Sequence, residues 1–197
     1  MSSLVSILKQ EKGVYGYINK QRVIEIIKTV IMFACAIGLY LIGYLTLKTN
    51  KSLWTIFAVL SVLPAAKSCV SMIMFIRFSS ISSDDYNKIR TVKGSIPTAY
   101  EYVFTTSEKA YFVKACSCVD STIIALYDCK AKFDNSNELK EHMNSAIERE
   151  GLKGYSLKIY TKMEDYLARL HELEEKFDGE ADTSAKRIFA LFDAITI

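Results

Sequence analysis

Two apolar runs, residues 29–47 and 52–76, separated only by Lys48-Thr49-Asn50-Lys51, constrain this chain more than any other feature. The first is 19 residues without a charge, and the second is 25 residues interrupted once, by Lys67. A helix rises about 1.5 Å per residue and a bilayer core is roughly 30 Å thick, so each run is long enough to cross. The short connection permits only a tight antiparallel hairpin. The expected fold class is a membrane α-helical hairpin of two transmembrane helices joined to a small cytoplasmic α+β domain. Its parts are an N-terminal segment (1–28), the two-pass hairpin (29–78, tip at 48–51), a linker with a short helix (79–97) and the α+β domain (98–197).

Charge distribution orients the hairpin. Lys9, Lys12, Lys20, Arg22 and Lys28 precede it, and Arg77, Lys88, Arg90 and Lys93 follow it. The tip has only Lys48 and Lys51. The excess of positive charge at the open end places both termini and the soluble domain in the cytoplasm of a multi-pass cell-membrane protein. The lipid bilayer is thus the first expected partner. Folding the chain about its tip sets Lys67 level with about residue 32, near the same interface as Lys28 and Arg77. These three are read as interfacial cations whose long stems reach the headgroups. A lipid-handling or transporter role for Lys67 is the sharper alternative. Ala34 and Gly38 in the first helix, with Ser61, Ala65 and Ser68 in the second, suggest close helix approach, and Pro64 a kink. Residues 1–10 lack a charged n-region and do not read as a signal peptide. Five cysteines, an odd set with two inside the spans, imply no disulfide framework.

Beyond Pro97 the pattern changes. Tyr100, Tyr102 and Phe104 alternate as on one face of a strand, and residues 110–119 and 121–129 read as two more strands. Ser82 with Asp85 reads as a helix N-terminal box. Asn135 starts a helix through 150 that Gly151 stops, with Leu139, Met143 and Ile147 on its apolar side. A fourth strand (155–161) and amphipathic helices at 163–177 and 184–195 follow. The order is β-β-β-α-β-α with an extra C-terminal helix. The crossover helix suggests that the third and fourth strands run parallel, joined right-handedly. Helices are expected to cover at least one face of the sheet.

Chemistry-bearing residues are sparse. Asp120, followed by Asp128-Cys129-Lys130, resembles the D…(D/E)-x-K arrangement of the PD-(D/E)xK nucleases. The resemblance covers about eleven residues and implies Mg²⁺ held by Asp120 and Asp128, with Lys130 positioning the attacking water. The gap between the two aspartates is short for two strands of a hairpin. Cys116, Cys118 and Cys129 with His142 form the other candidate metal set, for zinc, against the plainer reading of buried apolar thiols. Phosphate-binding glycine patterns and a nucleophile elbow are missing from the sequence, so no cofactor is expected. The aromatics Tyr100, Tyr102, Phe104, Tyr111 and Phe112 carry no accompanying basic stripe, and nucleic acid is not an expected partner. The leading expectation is a non-enzymatic, membrane-tethered interaction or scaffolding module. It would bind a protein partner or a second copy through Met163 to Phe177 or through Ser184 to Ile195. The alternative is a membrane-tethered, metal-dependent nuclease or phosphodiesterase.

Overall fold

The computed structural model describes residues 12–47, 53–106, 109–128, 136–152, 154–177 and 183–196. The chain divides into two compact units: Ile18–Ser79, and Ser80–Ile197 together with the segment ending at Tyr17.

The first unit is two long helices, α1 (Tyr17–Leu47) and α2 (Leu53–Arg77), the latter continuous through Pro64. Both are long and apolar enough to cross a membrane. Most of their large apolar side chains point outward: Leu45 is 73% exposed and Leu63 69%. The exceptions form narrow stripes. Glu25, Thr29, Met32, Ala36, Leu39 and Gly43 are buried or half-buried along α1, as are Ser61, Ala65, Ser68, Met72 and Phe75 along α2. Alternating steps of four and three are the spacing of a helix–helix seam. The buried small residues of α1 are therefore Thr29, Ala36 and Gly43, and Ala34, expected in the seam, is exposed. Ala34 stands two positions from Ala36, on a different side of the helix from that stripe. At the open end, Arg22 Nη2 donates to the Phe78 carbonyl at 3.1 Å, the pairing of a chain folded about residue 50. The tip itself (48–51) lies outside the described residues, as do residues 1–11.

The second unit is a four-stranded sheet between two helical layers. Helix α3 (Ser83–Val92) is followed by β1 (Thr98–Thr105), β2 (Ala110–Val119), β3 (Thr122–Tyr127), α4 (Ser136–Arg149), β4 (Ser156–Tyr160), α5 (Met163–Glu174) and α6 (Thr183–Ile195). The sheet order is β1-β2-β3-β4; the first two pairings are antiparallel and β3–β4 is parallel. Ser82 caps α3 by accepting the Asp85 N–H at 3.1 Å, while Asn135 lies outside the described residues. Gly151, with φ +72, ends α4 in the left-handed conformation that suits glycine.

Both faces of the sheet are covered. Leu139, Met143 and Ile147 of α4 and Ile188, Leu191 and Phe192 of α6 pack on Tyr102, Phe104, Val113 and Ile123. Ile89 of α3 and Tyr166, Leu170 and Leu173 of α5 pack on Tyr100, Ala115, Ile124 and Leu126 on the other side. The near-continuous apolar run of β3 follows from this, because each of its faces meets a helical layer.

Tyr100 does not share a face with Tyr102 and Phe104, contrary to the alternation. Between them Glu101 has φ +59, opposite the stretch of β2 where the β2–β3 pairing shifts between Val113 and Ala115. One residue outside the pleat moves every later side chain to the opposite face.

The last helix docks on its own sheet. The Phe192 ring meets Phe104 edge-on at 5.4 Å and Tyr102 at 6.0 Å, and the Tyr102 hydroxyl donates to Asp193 Oδ1 at 2.8 Å. Thr196 bridges to Phe104 on the outer side of β1. The N-terminal segment joins the same edge, where the Tyr100 N–H donates to the Gly13 carbonyl at 2.8 Å. Gly13 has φ +76, and a Cβ there would come within 3.0 Å of the Tyr102 hydroxyl. Lys12 Nζ donates to the Asp193 carbonyl at 2.9 Å and to the Thr196 carbonyl, placing a cation at the negative end of α6. Burial pulls the Lys12 pKa down, against the opposing pull of Asp193.

Two outcomes follow from this packing. Truncating Phe192 to alanine is expected to cost about 3–5 kcal/mol, the usual range for a buried aromatic. It should appear as a large fall in Tm by circular dichroism in detergent. Burial pushes the Tyr100 hydroxyl up to about 12 and raises Tyr102 and Tyr166 as well. Unfolded tyrosines ionise near 10, so stability fully present below about pH 10 should decline as pH rises toward 12. The share of tyrosinate absorbance that belongs to these three buried tyrosines should then appear together with unfolding, not ahead of it, and Tyr→Phe variants at the three positions should remove that share.

Candidate functional site

The most constrained polar group in the domain is the Glu101 carboxylate, which is 1% exposed in the middle of β1. Its Oε1 accepts the Gly16 N–H at 3.1 Å, the Ile81 N–H at 3.2 Å and the Ser80 hydroxyl. Gly16 immediately precedes α1, and Ser80–Ile81 follow α2 by a few residues. One side chain therefore gathers both segments through which the domain's chain connects to the long helices. Three donors on one carboxylate compensate its removal from water. They also hold a non-glycine residue at a left-handed φ that costs about 1–3 kcal/mol. An aromatic, alternating strand offers no sequence signal for this role beyond a lone charged residue inside it.

Around this junction the aromatics form a ladder. Tyr15 stacks on Tyr86 at 4.2 Å, Tyr86 meets Tyr100 edge-on at 5.1 Å, and Lys93 Nζ lies 5.9 Å above the Tyr100 ring. The Tyr15 hydroxyl and Ser83 Oγ are 3.0 Å apart. A second buried relay runs from Thr98 Oγ1 to Ser117 Oγ at 2.7 Å and on to the Tyr166 hydroxyl at 2.8 Å. These contacts lock α3, β1, β2 and α5 together; each hydroxyl of the Thr98–Ser117–Tyr166 relay is committed to a neighbour.

Of the sequence-derived catalytic set, the two described members, Asp120 and Asp128, lie at opposite ends of β3. Asp120 sits exposed in the two-residue turn between Val119 and Thr122, with φ +49. Asp128 lies beyond the far end of β3, where its N–H donates to the Phe112 carbonyl at 2.9 Å. Six strand residues at about 3.3 Å each put roughly 20 Å between the two carboxylates, too far to share an ion. The Asp128 carboxylate instead faces Lys114 Nζ at 3.1 Å, at the bulge of β2. Lys130 and Cys129 lie outside the described residues. Cys116 and Cys118 are buried on one face of β2, in the core beneath α4 and α6. Burial, then the neighbouring Cys118, pushes the Cys116 thiol well above its ordinary value, away from a metal-binding thiolate. His142 is half-buried on α4 beside Met143. Among the described residues no three His, Cys, Asp or Glu side chains are grouped to hold a metal. Lys28, Lys67 and Arg77 are exposed, and Lys28 Nζ lies 3.5 Å from the Glu25 carboxylate.

Compared with known proteins, the chain matches no family model, no curated protein and no solved structure.

Glu101→Ala would leave the Gly16 and Ile81 N–H groups without their acceptor, at about 1–3 kcal/mol each. Glu101→Gln keeps an acceptor oxygen. Alanine is expected to lower Tm clearly more than glutamine, with faster limited proteolysis at residues 12–17 and 80–82. An alanine variant indistinguishable from the parent would remove the carboxylate from its structural role.

Proposed function

We propose that this chain is a two-pass membrane protein whose α+β domain is a non-enzymatic interaction or scaffolding module held on the cytoplasmic side. The outward apolar surface of α1 and α2 carries the reading. A helix in the core of a water-soluble protein hides its apolar residues, whereas these helices hide a narrow stripe of largely small ones. A contiguous apolar surface of that length in water would drive aggregation; in lipid it is the solvated state. The surplus of lysine and arginine beside the open end of the hairpin supports the cytoplasmic placement of the domain.

The partner-binding function is supported by the domain's construction. Its polar side chains are tied into structural contacts at Glu101, Ser117, Asp128 and Tyr102, and the separated aspartates give the nuclease alternative no support. The apolar stripes of α5 and α6, read from the sequence as docking faces, are spent on the domain's own sheet. Deleting residues 184–197 would remove the Phe192 side of the core, so loss of a partner on that deletion would not locate a docking helix.

Topology is testable with single cysteines. Asn50→Cys should react with a membrane-impermeant maleimide in intact cells, while Ser145→Cys on α4 should react only after permeabilisation. The reverse pattern would invert the assignment, and equal reactivity at both sites would remove the membrane crossing. Cross-linking in native membranes followed by mass spectrometry should return a stoichiometric partner or a homo-oligomer. A lone monomer would count against scaffolding.

A further inference from the structure

Across residues 18–79 the sequence holds one carboxylate, Glu25, against five cations near the open end of the hairpin: Lys20, Arg22, Lys28, Lys67 and Arg77. Glu25 is 7% exposed, and its Oε1 accepts from Gln21 Nε2 at 3.3 Å and lies 3.5 Å from Lys28 Nζ. The exposed charge of that stretch is therefore all cationic. A lysine ammonium has three donors, so the contact with Glu25 leaves Lys28 able to bind a second group.

Two of these cations share one flank of the hairpin. Lys28 immediately precedes Thr29 of the buried α1 stripe, and Lys67 immediately precedes Ser68 of the buried α2 stripe. One residue turns a helix by about 100°. On antiparallel helices that face each other, a step back by one residue turns in opposite senses, which carries both lysines to the same side. The Arg22–Phe78 contact fixes the register of a chain folded about residue 50. In that register Lys67 stands about 7 Å nearer the tip than Lys28, a separation that two long stems can close. Ser71, which precedes Met72 of the stripe, is half-buried on the same flank one turn from Lys67. Ile31 and Leu60 precede Met32 and Ser61 in the same way; they are exposed and continue the flank toward the tip.

In an inference that rests on the two-pass reading, we propose that this flank binds the phosphate of an anionic glycerophospholipid. Lys67 reaches along α2 to the headgroup level, where it and Lys28 hold the phosphate from the two helices and the Ser71 hydroxyl donates a third bond. The acyl chains lie along Ile31 and Leu60, which a free phosphate ion would leave unused. A zwitterionic headgroup brings its own cation into a field with one hidden carboxylate, and the repulsion selects against it.

The test titrates the full-length protein in mild detergent with phosphatidylglycerol or with phosphatidylcholine of the same chains, counting bound lipid by native mass spectrometry. Phosphatidylglycerol should be retained, and phosphatidylcholine should not displace it. The Lys28→Gln/Lys67→Gln variant should weaken phosphatidylglycerol binding by about tenfold or more, the loss of two charge-assisted bonds. Lys67→Arg keeps the charge and should bind as the parent does. Arg77 stands two positions past Phe75, about 200° round α2 and away from this flank. Arg77→Gln should therefore leave binding unchanged. Lys67→Gln alone decides the matter, by the same loss, if the double variant does not fold. Equal retention of the two lipids, a double variant that binds like the parent, or an equal loss in Arg77→Gln would overturn the site. Displacement of the lipid by inorganic phosphate would overturn it as a lipid site. Equal labelling of Asn50→Cys and Ser145→Cys would remove the two-pass reading and this inference together. Labelling as expected, with the two lipids not distinguished, would remove this inference alone.

Discussion

The Glu101 carboxylate is the constraint on which the domain depends, because it acts on the backbone and on the chain's entry points together. Its left-handed conformation steps β1 out of phase, so Tyr100 serves the core under α3 and α5 while Tyr102 and Phe104 serve the core under α6. Its oxygen also accepts from both segments adjoining the long helices. A left-handed residue in a strand is costly, about 1–3 kcal/mol, unless its surroundings determine it. Two backbone N–H groups and a hydroxyl donating to its carboxylate do so here. Neutralising or removing the side chain therefore loosens the strand and both linkers at once.

Closure of β1 extends the same logic to the ends of the domain. Lys12 at the carbonyl end of α6, Gly13 on Tyr100 and Thr196 on Phe104 seal one sheet edge with segments far apart in sequence. The left-handed backbone of Gly13 lets the segment pass closely over Ala99 and Tyr102, where any side chain would crowd. With that edge sealed, β4 is the sheet edge on which no described residue pairs. The domain thus holds together polar contacts that would otherwise read as chemistry: the Lys114–Asp128 pair at a bulge and the Thr98–Ser117–Tyr166 hydroxyl relay are each structural ties.

In the helical unit the informative quantity is what is hidden. Among the few residues withdrawn from the surface along the middle of the helices are the small Thr29, Ala36 and Gly43 on α1 and Ala65 and Ser68 on α2, with Glu25 and Phe75 nearer the open end. Where large apolar residues face outward and small ones inward, packing is driven by close backbone approach more than by hydrophobic burial. That inversion of the soluble-protein rule is the physical basis for the proposal that these helices lie in a bilayer.

Much of the architecture was legible from local pattern. Continuous apolar runs required two long helices, Ser82–Asp85 marked the start of α3, Gly151 the end of α4, and the apolar run of β3 a strand covered on both faces. The alternation of Tyr100 with Tyr102 was misleading, since a left-handed residue is invisible to a period-two reading when it is a glutamate and not a glycine. The D-x-K resemblance likewise counted residues along the chain, while a two-residue turn carried Asp120 to one end of β3 and left Asp128 at the other. The sequence by itself determined the helices, the strands and their apolar faces, because those depend on side-chain periodicity within one element. Tertiary structure alone decided that Glu101 joins Gly16 to Ile81 and that α6 belongs to its own sheet, because each depends on residues distant along the chain meeting in space.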